Sequence, residues 1–175
     1  LLEMKDAGVL PQLVQVGNEL TNGLMWPLGQ KPEYDNIAKF VSAGIRAVRS
    51  VDSDIPVMIH LDNGGNNPMY VDWFDNYMER GENFDIIGMS YYPHWNGSLS
   101  LLLDNMNDIS SRYDKDVLVA ETSIGYTTET FGCNGIVYSK EHEKITGYPA
   151  TQQGQEAFLR DLFATVRSVN NKRGI

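Results

Sequence analysis

The 175-residue chain has a single cysteine, Cys133, so no internal disulfide framework is available to it. Basic residues are scarce: 14 Lys and Arg stand against 23 Asp and Glu, for a formal charge of −9. That balance argues against a nucleic-acid partner, because phosphate binding needs a basic face. A neutral substrate would be indifferent to it. No apolar run approaches the roughly 20 residues of a membrane span. The sequence also lacks a Gly-rich phosphate turn, an internal repeat, a low-complexity tract and a domain linker. There is no signal peptide and no initiator methionine. The chain opens mid-pattern with LLEMKDAGVL, so its start is expected to be a processed or truncated end, silent about targeting.

Metal-loop spacings are missing too. His60 with Asp62, and Glu141-His142-Glu143, offer ligand types but match no zinc or calcium loop. The second group reads as a solvated charge run, and Asn96-Gly97-Ser98 as a chance glycosylation triplet. Metal catalysis is not expected; a structural ion such as calcium is left open.

What remains is ordinary globular material, 42% hydrophobic and 21% charged, enough for one domain with a sizeable core. Four short apolar runs recur: LVQV at 13–16, VMIH at 57–60, DIIGMS at 85–90 and VLVA at 117–120. Continuously apolar runs of this length suit parallel strands buried on both faces. Helical patterns separate them. Residues 35–51 carry the stripe Ile37, Phe40, Val41, Ile45 and Val48. Asn67-Pro68 opens a second helix that Gly81 closes, with Tyr70, Trp73, Phe74 and Tyr77 as its core face. A third spans about 98–113 on Leu99, Leu102, Leu103, Met106 and Ile109. The last, from about Thr151, uses Phe158, Leu159, Leu162, Phe163, Val166 and Val169.

Strand ends recur at the roughly 30-residue interval of a βαβ unit, which leaves an open doubly wound sheet or a (β/α)-barrel. The polar residues decide. Every strand ends in groups fit for chemistry: Asn18-Glu19, His60-Leu61-Asp62, Ser90-Tyr91-Tyr92 and Glu121-Thr122. Side chains from several strand ends converging on one mouth are the active face of a barrel.

Glu19 and Glu121 occupy matching strand-end positions three β/α units apart, so two carboxylates can meet over a substrate. That pair is the equipment of glycoside hydrolysis, retaining or inverting. Asn18 is placed to bond a sugar hydroxyl, and Trp26 and Trp95 lie in loops where their flat faces suit a sugar ring. Trp73 belongs to a core stripe. His60 has three open roles: contacting substrate, orienting a carboxylate, or packing as a hydrogen-bonded core histidine. The long connection from Thr122 to Ala150, with Tyr126, Phe131, Tyr138 and Tyr148, is expected to form a substrate-facing wall.

The strings VQVGNELTNGLMWPLG, IHLDNGG, FDIIGMSYYPHW and VAETSIGYT resemble the signature stretches of the endo-β-1,4-galactanases, glycoside hydrolase family 53, in order and over nearly the whole chain. The resemblance implies a (β/α)8 TIM-barrel enzyme that cleaves β-1,4-galactan in pectic side chains with retention, outside the cell and without a cofactor. It implies Glu19 as acid/base on strand four and Glu121 as nucleophile on strand seven. It further implies substrate contacts from Asn18, Trp26, His60, Asp62, Tyr91, Tyr92 and Trp95, and strand alternation sends the two tyrosines to opposite sides. On that numbering residues 1–175 are one partial barrel domain, about strands four to seven, truncated at both ends. Self-association through open barrel edges is then expected. The rivals are another barrel-clan β-glycanase acting on glucan or mannan, and a non-catalytic carbohydrate-binding fragment.

Overall fold

A computed structural model describes residues 1–130, 138–170 and 173–174. Helix α1 (Leu2–Asp6) leads into β1 (Val14–Gln15), and a hairpin of β2 (Gly23–Leu24) and β3 (Gly29–Gln30) follows. Then come α2 (Tyr34–Val51), β4 (Val57–Leu61), α3 (Asn67–Met78), β5 (Ile86–Ser90), α4 (Pro93–Asn96), α5 (Leu99–Tyr113), β6 (Asp116–Glu121), α6 (Lys140–Thr146) and α7 (Gln152–Arg167). The predicted runs became the parallel sheet β1-β4-β5-β6, each strand paired to the next in sequence. That monotonic order, with a helix after each strand, is the winding of a barrel arc rather than of a sheet that reverses about a switch point. Beyond β6 the arc continues: Val117 N–H donates to Arg173 O, and Gly174 bridges Val117 in parallel.

Local chemistry sets the helix ends. Asn66, Ser98 and Thr151 each accept a backbone N–H in the first turn of α3, α5 and α7. Pro68 sits in the first turn of α3, where its missing N–H costs nothing.

Strand parity divides the interior in two. Odd-numbered residues (Val57, Ile59, Leu61, Ile87, Met89, Tyr91, Val117) join the helix-side core. The even-numbered Met58, His60, Ile86 and Ser90 are also buried but lie outside that cluster, on the inner face of the arc. Gly88 lies between them because a Cβ there would fall 2.6 Å from the Met58 sulfur.

Trp73 is the keystone of the helix-side core. It is fully buried, stacks on Tyr77 at 5.4 Å, meets Phe74 and Tyr34 edge-on, and donates Nε1–H to Leu20 O at 2.9 Å. Trp73→Ala is expected to cost about 3–5 kcal/mol, read from the urea midpoint at unchanged slope. A loss under about 1 kcal/mol would mean that the site collapses around the gap.

Two expectations need correction. Phe163, assigned to the α7 stripe, is 57% exposed. With Leu118, Val119, Leu162 and Val166 it lines an apolar groove beside β6 instead of meeting the core. The aromatic wall after β6 is also mostly something else. Tyr138 is buried and donates its hydroxyl to Tyr148 O, while Tyr148 packs on Phe158 and bonds Asp161, so both pin the connection down. Tyr126 stays exposed, and Phe131 and Cys133 lie outside the described residues.

Candidate active site

Glu19 is delivered by an abrupt turn. Gly17 has φ +80°, and Glu19 itself sits at φ +47° and ψ +56°, a left-handed conformation that costs an L-residue roughly 1–2 kcal/mol. Buried Leu20 anchors the turn from below, with its carbonyl held by Trp73. Glu121 is aimed by a different device. Its odd number would send it to the helix side, but β5 and β6 slip register: Met89 pairs Val119, then Ser90 pairs Glu121. Ala120 is the extra residue of a β-bulge, and it turns Glu121 onto the inner face beside Ser90.

The two carboxylates therefore converge. Glu19, His60 and Glu121 each have a side-chain atom within 4.8 Å of the other two. Ser90 Oγ donates to Glu19 Oε1 at 2.7 Å and lies 3.0 Å from His60 Nε2; His60 Nδ1 is 3.3 Å from Asn18 Oδ1. Across the cleft, Tyr92 donates its hydroxyl to Glu121 Oε2 at 3.0 Å. Burial, with a smaller contribution from the Glu121 hydrogen bond, pushes the Tyr92 phenol above its usual range, so it remains a donor. Burial holds the His60 imidazole below its usual range, against the opposing pull of Glu121, Glu19 and Asp62.

Glu19, Asp62, Asn63, Ser90, Tyr92, Trp95 and Asn96 line a cleft of about 310 Å³. Asp62 is fixed there by Thr21, whose hydroxyl donates to its carboxylate and accepts its backbone N–H. Asn96 clasps two loops, donating to Asn63 Oδ1 and accepting from Tyr92 N–H, with Asn63 left-handed at φ +52°. Trp95 is 55% exposed and backed by the His94 ring at 4.4 Å. His94 is buried, packs against His142 of α6 at 4.6 Å, and has no partner for either ring nitrogen among the described residues.

Three predicted contacts stand apart: His60 is fully buried behind the cleft lining, with Asn18 and Ser90 at its two ring nitrogens. Tyr91 is fully buried on the helix side and donates to Gly97 O at 2.7 Å, so alternation has taken it out of the cleft and left Tyr92 there. Trp26 is 59% exposed on the β2–β3 hairpin, with Nε1–H on Asn22 O, and is not among the cleft-lining residues. Sequence reasoning gave no site role to Thr21, Asn63, Asn96 or His94, and named Ser90 only as a strand-end group. Ser90 alone carried a signal: its even parity in DIIGMS places it with His60 on the inner face.

Among the described residues, Glu19, His60 and Glu121 are the one group spaced to share a cation. Ser90 and Asn18 engage both nitrogens of His60, while Glu19 and Glu121 each have one hydrogen-bonded carboxylate oxygen. In the charge run on α6, Glu141 pairs with Lys144, Glu143 with Lys140, and the His142 ring accepts from Ser139 N–H.

The family profile of Glycosyl hydrolase family 53 matches residues 1–175. This chain belongs to that family. It is 40% identical over 97% of its length to an uncharacterized protein in the bgaB 5′ region of Niallia circulans, covering 48% of that protein. It is 36% identical to arabinogalactan endo-β-1,4-galactanase A of Aspergillus niger, over 94% of this chain and 47% of the relative. Among solved structures, the Ignisphaera aggregans GH53 catalytic domain superposes with a TM-score of 0.88 at 36% identity, over 94% of this chain and 46% of that one. The family 53 chain spans about half the length of the curated relatives it matches, and its four parallel strands are an arc of a (β/α)8 barrel.

Proposed function

We propose that this family 53 chain carries the acid/base and the nucleophile of a retaining endo-β-1,4-galactanase that acts on (arabino)galactan side chains of pectin. The observation that carries the reading is that one carboxylate oxygen of Glu19 and one of Glu121 lie within 4.8 Å of each other. Retaining enzymes hold their carboxyl groups about 5–5.5 Å apart, and inverting ones leave room for a water at about 6.5–9.5 Å. The substrate follows from the galactanases among the relatives, and the absence of charge demand fits a neutral polysaccharide offered to an acidic protein.

In the first step a Glu121 oxygen attacks the anomeric carbon while the Glu19 proton passes to the glycosidic oxygen, and the C–O bond breaks. Tyr92 occupies Glu121 Oε2 and leaves Oε1 without a hydrogen bond among the described residues, so that oxygen is the attacking one. In the second step Glu19, now ionised, takes a proton from water. The water oxygen displaces Glu121, and two inversions give net retention. Trp95 supplies an apolar face for a sugar ring, and Asn18 a hydrogen bond to a hydroxyl beside the reacting carbon. No cofactor enters this chemistry. Work on plant-wall polymer places the protein outside the cell.

The test uses a protein in which this segment is joined to the strands that close its barrel. Reducing ends should be released from β-1,4-galactan in preference to β-glucan or mannan. Glu19→Ala should lose galactan cleavage by about 10²–10⁴-fold, the scale of general acid catalysis, yet still react with an aryl galactoside whose leaving group needs no proton. Azide should then restore turnover by replacing the activated water. Sugar binding without turnover in the unmodified protein would favour the carbohydrate-binding reading instead.

A further inference from the structure

Behind Glu19 lies a chain of hydrogen bonds whose direction is set at its far end. Gln15 Nε2 donates to Gly17 O at 2.7 Å and to Asn18 Oδ1 at 3.1 Å, which commits its amide nitrogen. Asn18 therefore presents its oxygen, not its nitrogen, to His60 Nδ1 at 3.3 Å. An oxygen there requires Nδ1 to carry hydrogen. A neutral His60 then has its lone pair on Nε2, facing Ser90 Oγ at 3.0 Å. The single Ser90 hydrogen points to Nε2, so Ser90 can only accept from Glu19, and Glu19 must hold the proton. If Glu19 is ionised, both bonds of Ser90 reverse: Ser90 donates to Glu19 Oε1 at 2.7 Å, His60 Nε2–H donates to Ser90, and His60 is an imidazolium. The same heavy-atom positions serve both states, and each holds one proton.

We propose that Ser90 and His60 are a proton relay for the acid/base, with His60 the second seat of the Glu19 proton. In the transfer the Glu19 O–H bond breaks as Ser90 Oγ gains that hydrogen, and the Ser90 O–H bond breaks as His60 Nε2 gains the other. The sum moves one proton and nothing else. The remaining groups facing His60 fit a single positive charge there and no more: Asp62 and Glu121 carry opposite charge nearby, and Tyr70 is buried with its hydroxyl on Leu61 O. Ser90 is thus a positioning residue that acts through Glu19. The inference rests on Glu19 being the acid/base.

Two measurements on the barrel-complete protein decide it. The first compares Ser90→Ala with Ser90→Thr, which keeps the hydroxyl. Ser90→Ala should slow galactan cleavage at least about tenfold while sparing the activated aryl galactoside, and should move the basic limb of the kcat/KM profile. Ser90→Thr should restore both. An equal loss on both substrates with an unmoved profile would overturn the relay and leave Ser90 a structural residue. The second follows His60 by ¹⁵N NMR of its ring without substrate. Its titration should shift by about one pH unit in Ser90→Ala and in Glu19→Gln, as coupled sites require. An unchanged His60 titration would also overturn it. Because this second readout needs no turnover, it decides the relay even in a protein that does not cut galactan.

Discussion

Glu121→Gln should lower galactan hydrolysis by about 10⁴-fold or more, the scale on which loss of a covalent nucleophile is felt. The amide is isosteric, and its oxygen still accepts from Tyr92, so cleft shape and sugar binding should persist. What disappears is the bond between protein and sugar. A slow 2-fluoro-galactoside should leave a galactosyl adduct on Glu121 in the unmodified protein, visible as a mass increment on its peptide, and none in Glu121→Gln. Normal turnover in Glu121→Gln would remove the nucleophile assignment. An adduct on Glu19 would exchange the two roles.

Inserting one alanine between Ala120 and Glu121 should be as damaging to activity and worse for stability. The bulge at Ala120 is what turns an odd-numbered residue onto the inner face. With a one-residue bulge kept, the inserted alanine would stand opposite Ser90, and Glu121 would pair with Tyr91 and enter the helix side among Met89, Tyr91 and Ile124, all buried. An unpaired carboxylate there costs about 3–5 kcal/mol, so the thermal midpoint should fall together with galactan cleavage. Ala120→Ser, which keeps the residue count, should hold both near normal. If the insertion variant stays active, β6 has absorbed the extra residue in a wider bulge, and the register of Ser90 with Glu121 would be the first contact to re-examine.

Much of the arc was legible because each element announced itself locally. Pro68 and the Asn and Ser caps mark helix starts, and Trp73 and Phe158 fall on stripes whose period leaves little choice. Strand-end carboxylates could be placed by counting. The bulge could not, since VLVAE reads as an unbroken strand and only pairing with β5 exposes the extra residue. Nor could the relay, because a serine at a strand end is the commonest of polar residues until its neighbours across the sheet are known. Tyr91 and Tyr92 were legible as a pair but not individually, for the same reason of phase. Phe163 was misplaced because helical periodicity reports an apolar face without saying what stands opposite it.

The odd–even division of the strands has a consequence for how this sequence tolerates change. Stability and chemistry are written on alternate letters of the same words. In IIGMS, a swap at Ile87 or Met89 disturbs packing against helices, whereas one at Gly88 or Ser90 alters the floor beneath the substrate. A library scored separately for fold retention and for turnover should therefore resolve into two interleaved sets along each strand. Along β4 to β6, position 121 should be the place where the rhythm skips a beat, an odd-numbered residue that sorts with the even ones.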